Sequence, residues 1–236
     1  MEYIDFHSHI LPGVDDGAQS LEMSGRMLSA LLAQNVKAVV LTPHYYSDSI
    51  SLADFVRQRD EALRHMLDGI DSEIPTLFPA AETYISKYIF GNDDLTPVCI
   101  GKSRKILLEL PFGRTITSSL LDMVYKVIVD YDVEPILAHV ERYTQLLHDE
   151  YVFDELLDMG CMAQINLGSL DSTRSVRKKM FKLIEAGKIS VVGTDCHNMT
   201  TRPPDYRTGI TLITEKFGES CVEEMMSNAR EILCGS

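Results

Sequence analysis

Short runs of β-branched and aliphatic residues alternate along the whole chain with longer stretches whose apolar positions recur every three or four residues. The first kind predicts strands over residues 3–6, 36–41, 76–80, 105–110, 134–138, 161–166 and 189–193. The second predicts helices over about 20–33, 52–67, 118–130, 151–159, 175–186, 206–217 and 219–233. The second strand is expected to end at Thr42-Pro43, because proline has no N–H to give to a ladder. Seven strands with helices between them imply a parallel α/β protein, either a barrel or a doubly wound sheet. No Ser/Gly linker, low-complexity tract or internal repeat interrupts the pattern, so residues 1–236 read as one domain.

Composition narrows the class. With 236 residues, 45% hydrophobic and 24% charged, the chain can bury a substantial core and gives no case for disorder. The formal net charge of -13 repels phosphate backbones and argues against nucleic acid as a partner. No apolar run approaches the roughly 18–20 residues that cross a bilayer. The acidic start does not read as a signal peptide, so a cytoplasmic location without membrane insertion is expected. Five cysteines, none spaced as CxxC, fit free thiols better than a disulfide framework. The pair Met225-Met226 in the last helix reads as core, with a docking face for another subunit as the alternative.

The histidines change the picture most. Five of seven (His7, His9, His44, His139 and His197) stand just after a predicted strand. Asp16, Glu82, Glu109 and Asp195 reach the same rim. In parallel α/β folds the carboxyl ends of the strands form the face where active sites collect. One such histidine is unremarkable, but nine imidazoles and carboxylates on one rim are hard to ascribe to packing. His7-Ser8-His9 puts two rings on one side of an extended chain, and Asp195-Cys196-His197 repeats the device after the last strand. Imidazole mixed with carboxylate suits Mn, Fe or Zn, and so many ligands exceed the needs of one ion. His65 and His148 fall outside the set and are expected to face solvent.

Asp5-Phe6-His7-Ser8-His9-Ile10-Leu11-Pro12-Gly13-Val14-Asp15-Asp16-Gly17 resembles the N-terminal signature of bacterial PHP-family (polymerase and histidinol phosphatase) tyrosine phosphatases of the capsule and exopolysaccharide type. Thr42-Pro43-His44-Tyr45, Ala81-Glu82, Glu109-Leu110-Pro111, His139-Val140-Glu141-Arg142-Tyr143 and Thr194-Asp195-Cys196-His197-Asn198 resemble its later motifs, in the same order. The resemblance implies a distorted (β/α)7 barrel holding three divalent metals, with Mn foremost, at the carboxyl ends of the strands. Carried over residue by residue, it gives His7, His9, Glu82 and Asp195 to the first ion. The second takes Glu109 and His139 with Glu82 as a bridge, and the third takes Asp16, His44 and His197. Arg142 and Arg202 match phosphate-binding arginines of the family. The implied reaction is hydrolysis of phosphotyrosine by a metal-bound hydroxide. The implied partner is the tyrosine-bearing tail of a membrane-associated bacterial kinase. Asp5 is expected to orient a ligand histidine or to be a structural carboxylate. Tyr45 and Tyr46 are candidates for a wall beside a phenyl ring, with rim packing as the plain alternative.

Other readings compete. Cys196 and Arg202 form a literal C-x5-R, the spacing of cysteine-dependent tyrosine phosphatases. The five residues between them include no glycine, which a tight phosphate-cradling loop usually needs. A PHP phosphatase of a small monoester such as a histidinol phosphate, and a non-catalytic metal-bound regulatory barrel, are further alternatives. A related barrel hydrolase of C–N bonds would also use HxH and a rim Asp, but no lysine stands after a central strand to bridge its metals.

Overall fold

The computed structural model describes residues 1–235, and every one of the expected strands and helices is found there. The strands are β1 (Tyr3–Ser8), β2 (Val36–Leu41), β3 (His44–Tyr45), β4 (Thr76–Pro79), β5 (Glu82–Tyr84), β6 (Lys105–Glu109), β7 (Glu134–Leu137), β8 (Met162–Asn166) and β9 (Val191–Gly193). The helices are α1 (Leu21–Leu32), α2 (Leu52–Gly69), α3 (Ser118–Tyr131), α4 (Glu150–Asp158), α5 (Arg174–Glu185), α6 (Arg207–Phe217) and α7 (Glu219–Cys234). Ser20, Ser51, Thr117, Asp149 and Thr173 each accept a backbone N–H in the first turn of the helix they precede, which explains where those helices begin.

All paired strands are parallel, in the orders β1-β2-β4 and β3-β5-β6-β7-β8-β9. β2 with β3, and β4 with β5, are two strands of the expected seven, each interrupted once. Strand β2 ends at Thr42-Pro43 as expected, and the chain then resumes pairing at His44, opposite Glu82. Pro43 and Pro79 each withhold a ladder N–H. The bonds Thr42 N–H to Ser8 O (2.9 Å), Ala80 N–H to Leu41 O (2.9 Å) and Glu82 N–H to Pro43 O (3.1 Å) carry the wall across the break. The strands thus curl into a distorted barrel whose seam lies between β9 and β1. The seam is narrow: a parallel bridge joins Ser8 to Cys196, Asp195 N–H donates to His7 O at 2.7 Å, and His9 N–H donates to Cys196 O at 2.9 Å.

Helices cover the outside and bury aliphatic stripes against the strands. α7 lies over β1 and β9, with Met225 and Met226 buried as core. Tyr206, fully buried, donates its hydroxyl to Ile4 O at 2.8 Å and ties the C-terminal segment to β1. His65 and His148 are exposed.

Gly193 ends β9 where the seam is tightest. A Cβ there would stand 2.6 Å from His7 Cβ and 2.7 Å from His7 N, and backbone cannot yield as a side-chain tip can. Gly193→Ala is expected to destabilise the fold by about 2 kcal/mol through overpacking. A urea midpoint equal to that of the unaltered protein would show instead that β9 moves aside freely.

Candidate metal centre

β1 delivers His7 at its end and His9 just beyond, and both rings are fully buried. Each ring is oriented by a partner on its far nitrogen. Gln164 on β8 accepts the His139 N–H at 2.7 Å, which turns its carboxamide oxygen toward His7 Nδ1, 3.2 Å away. His7 therefore carries its proton on Nδ1 and aims the Nε2 lone pair inward. His9 Nδ1 donates to Asp15 Oδ2 at 2.6 Å, leaving its Nε2 bare in the same way. His197 donates Nδ1–H to the Asp195 carbonyl at 3.0 Å, with the same consequence.

The bare atoms converge. His7 Nε2 and His9 Nε2 are 3.1 Å apart. Glu82 Oε2 lies 3.2 Å from each, and Asp195 Oδ1 lies 3.5 Å from His7 and 3.3 Å from His9. Neighbouring groups extend the cluster: His139 Nε2 is 2.6 Å from Glu82 Oε1 and 3.9 Å from Glu109 Oε1, and His44 Nδ1 is 3.0 Å from Glu82 Oε2. Asp16 Oδ1 stands 3.5 Å from His44 Nε2 and 3.3 Å from His197 Nε2. All nine expected ligands are thus gathered at one rim, in overlapping groups with metal-ligand spacing. Glu82 Oε2, Asp195 Oδ1, His139 Nδ1 and His197 Nε2 are buried without a hydrogen-bond partner. Buried acceptors facing one another are costly unless a cation sits among them. The donor set therefore fits divalent metal, with hard carboxylates and borderline imidazoles.

Electrostatics agrees. Burial works against charge on His7, but Glu82 and Asp195 outweigh it and raise the ring's affinity for a proton. Burial is likewise outweighed at His9, where Asp15, Asp195 and Glu82 push the pKa well up. Burial also opposes charge on Glu82 and Asp195, yet the facing histidines hold both carboxyls well below the usual range. Glu109 is pushed up to about 7 by burial and by the charge of Glu82. His197 is driven down to about 4 by burial and by His9, and so stays neutral.

Backbone strain sits at the same place. His139 (φ 35°) and Asp195 (φ 53°) are left-handed non-glycine residues, a conformation that costs free energy and recurs at functional sites. Asp5 accepts Thr194 N–H at 2.8 Å and Thr194 O–H at 2.6 Å, so it clamps the turn before Asp195 rather than orienting a ligand histidine. It also accepts the His7 backbone N–H at 3.3 Å. Burial raises its pKa to about 6, against the pull of the Thr194 bonds.

Arg142 ends a short 3-10 turn after His139, and Arg202 closes the loop after His197. Each guanidinium reaches Asp195 Oδ2 at 2.6 Å, so two positive charges meet at the edge of the cluster. Tyr46 is 38% exposed with its ring 5.3 Å from that of His44. Tyr45 turns into the core against Phe55 and does not line the rim. Phe112, not expected from the sequence, is 45% exposed and stacks on His139 at 5.2 Å and on Tyr143 at 5.3 Å.

Three more orienting groups escaped the sequence reading. Asp15 holds His9 and also accepts the Gly17 N–H at 2.9 Å and the His44 N–H at 3.0 Å. Spacing alone could not say which member of Asp15-Asp16 turns inward. Gln164 donates to Asn166 Oδ1 at 2.9 Å, and Asn166 donates to Asp195 Oδ2 at 2.7 Å. Two alternate amides in an otherwise apolar strand were the available signal.

The C-x5-R loop is built for something else. Cys196 is wholly buried, and burial together with Asp5 pushes its thiol well above the ordinary range. The amides that a phosphate would need are taken by the Asn198 carboxamide oxygen, which accepts from Thr200 at 2.9 Å, Thr201 at 2.8 Å and Arg202 at 3.2 Å.

Fold and site together define a parallel β/α barrel with a histidine–carboxylate centre at the carboxyl ends of its strands. The chain belongs to the capsular polysaccharide synthesis CpsB/CapC family, whose model matches residues 3–234. It is 28% identical to the tyrosine-protein phosphatase CpsB of Streptococcus pneumoniae, over 98% of both chains. It is also 28% identical to the tyrosine-protein phosphatase YwqE of Bacillus subtilis, over 98% of this chain and 91% of that one. A crystal structure from work on YwqE of Bacillus subtilis and CpsB of Streptococcus pneumoniae, described as metal-dependent tyrosine phosphatases, superposes with a TM-score of 0.85 at 24% identity. It covers 99% of this chain and 95% of its own, and this likeness shows the fold.

Removing the partner of a ligand imidazole typically weakens metal binding by about 10–100-fold. Asp15→Asn is expected to do so, read by competition with a chromogenic chelator; unchanged affinity would mean that His9 is held by the fold alone. Because His7 and His9 bind protons more tightly than usual, metal uptake is expected to release protons and to weaken as pH falls. Calorimetry in buffers of different ionisation enthalpy checks this, and equal apparent heats would count against it.

Proposed function

We propose that this chain is a metal-dependent protein-tyrosine phosphatase acting on a phosphotyrosine-bearing protein tail. The observation that carries the reading is the meeting of Arg142 and Arg202 at Asp195, beside a buried cluster of carboxylates and imidazoles that lack partners. Both relatives named above are tyrosine-protein phosphatases, which favours this substrate over a small monoester.

His7, His9, Glu82 and Asp195 would hold one divalent ion. Glu109 and His139, with Glu82 shared, would hold a second, and Asp16, His44 and His197 a third. Mn is the favoured metal, with Fe or Zn as alternatives. When bound, such ions neutralise phosphate charge and bring the pKa of a water toward neutrality. Arg142 and Arg202 exchange the Asp195 carboxylate for non-bridging phosphate oxygens, which a guanidinium grips through paired N–H groups. Tyr46 and Phe112 flank the phenyl ring. A tyrosinate leaves with a pKa near 10, so strong protonation of the leaving oxygen is not required. No separate general acid is assigned, since the rim histidines are committed as ligands. Residues 1–236 act as one domain. The natural partner is the tail of a membrane-associated bacterial tyrosine kinase of capsule or exopolysaccharide synthesis, met in the cytoplasm. No described helix is long and apolar enough to cross a membrane.

Metal-stripped protein is expected to be inactive on a phosphotyrosine peptide and to recover with Mn, while Cys196→Ser keeps its activity. Arg142→Ala and Arg202→Ala are each expected to lower kcat/KM by about 10–100-fold, the worth of a charged hydrogen bond to phosphate. Activity indifferent to chelation but lost in Cys196→Ser would overturn the metal reading.

A further inference from the structure

The chain carries a net charge of -13, yet six of its 22 lysines and arginines fall between Arg174 and Lys188, where Glu185 is the one acid. Most of them lie on α5, whose apolar face (Met180, Leu183 and Ile184) is buried against the barrel. Arg177 pairs with Asp171 at 3.5 Å and Lys188 with Asp154 at 2.5 Å. Arg174, Lys178, Lys182 and Lys216 are exposed and, among the described residues, enter no ion pair. A basic patch only partly neutralised by its own fold, on a strongly acidic protein, is a local attractor for anions that the rest of the surface repels.

The patch connects to the metal centre. A hollow of about 470 Å³ begins at Arg142 and runs past Arg114 and Gln145 to His148. A second, of about 360 Å³, shares His148 and continues along Lys178, Lys179 and Lys182. His148 joins the two, its ring against Lys179 Nζ on one side and Thr144 O at 2.7 Å on the other. Asp149 and Glu150 also face the groove, but Asp149 is engaged in capping α4. Beyond Lys182 a further hollow of about 720 Å³ adds Arg174, Arg177 and Lys216.

We propose that this groove binds an anionic stretch of the substrate polypeptide. The phosphotyrosine enters the metal centre at Arg142, while carboxylates or a further phosphate on the same chain dock at Lys178 and Lys182. The inference rests on the phosphatase reading and deepens it, since it adds recognition of the sequence around the phosphotyrosine. A polypeptide fits better than an anionic membrane. The basic side chains line a concave track leading from the reactive centre, and α5 has no exposed large hydrophobic side chain to enter a bilayer.

The test is a charge reversal, Lys178→Glu with Lys182→Glu, in the metal-loaded full chain. p-Nitrophenyl phosphate and phosphotyrosine peptides with acidic or neutral flanks serve as substrates. The double variant should hydrolyse p-nitrophenyl phosphate and the neutral peptide at the unaltered rate. Its KM for the acidic peptide should rise about tenfold at low salt with kcat unchanged, and the gap should close at high salt. Anisotropy of a labelled acidic peptide bearing a non-hydrolysable phosphonate should show the same loss of binding and needs no turnover. The two readings can therefore fail separately: absence of hydrolysis by the unaltered protein would sink the phosphatase, and equal phosphonate affinity in both proteins would sink the groove. Loss of binding to phosphatidylserine vesicles with an unchanged peptide KM would also overturn the proposal and assign α5 to a membrane surface.

Discussion

Lone pairs of like character can be packed together in a protein interior only if each is held in place from behind and a positive charge sits among them. The centre of this barrel is organised by that constraint. His7 is braced by Gln164, His9 by Asp15 and His197 by the Asp195 carbonyl, so the bare nitrogens of His7 and His9 point where Glu82 and Asp195 also point, and that of His197 points at Asp16. Every brace fixes a proton on the far side of a ring and thereby leaves the near side as a ligand. The bracing groups explain why the cluster stays assembled although its members repel when unmetallated and unprotonated.

The barrel's irregularities serve this arrangement. Pro43 and Pro79 interrupt two neighbouring strands, and the resumed segments bring His44 opposite Glu82. The seam between β9 and β1 is short, and it brings Asp195 and Cys196 against His7 and His9. Cys196 is a seam residue, which is why its thiol is buried beneath two ligand-bearing segments. His139 and Asp195 take left-handed conformations just past the ends of β7 and β9, at two of the positions that face the cluster.

An acidic protein that handles a phosphorylated substrate must overcome its own field. Arg142 and Arg202 do so at the centre, sharing one oxygen of Asp195. The basic face of α5 extends the same compensation along the surface, in a groove that begins where Arg142 stands. Charge of the sign the substrate needs is thereby gathered along that track, on a chain whose net charge is -13.

The strand and helix pattern, the parallel class and the nine-residue constellation were legible in the sequence because each rests on local rules. Alternation predicts strands, heptad-like spacing predicts helices, and strand ends in a parallel fold share one rim. What the sequence could not carry was orientation. Tyr45 and Tyr46 are neighbours, yet one is core and the other rim; Asp15 and Asp16 are neighbours, yet one braces a histidine from within and the other stands at the mouth. The resumption of pairing after Thr42-Pro43 depended on Glu82 offering a partner across the sheet. Gln164 reaches His7 across 157 positions of chain and Thr194 reaches Asp5 across 189. The sequence by itself determined which chemical groups the rim would hold. Tertiary structure alone decided which way each turned and which proton it kept, because a hydrogen bond a few ångströms long between remote segments leaves no periodic trace along the chain.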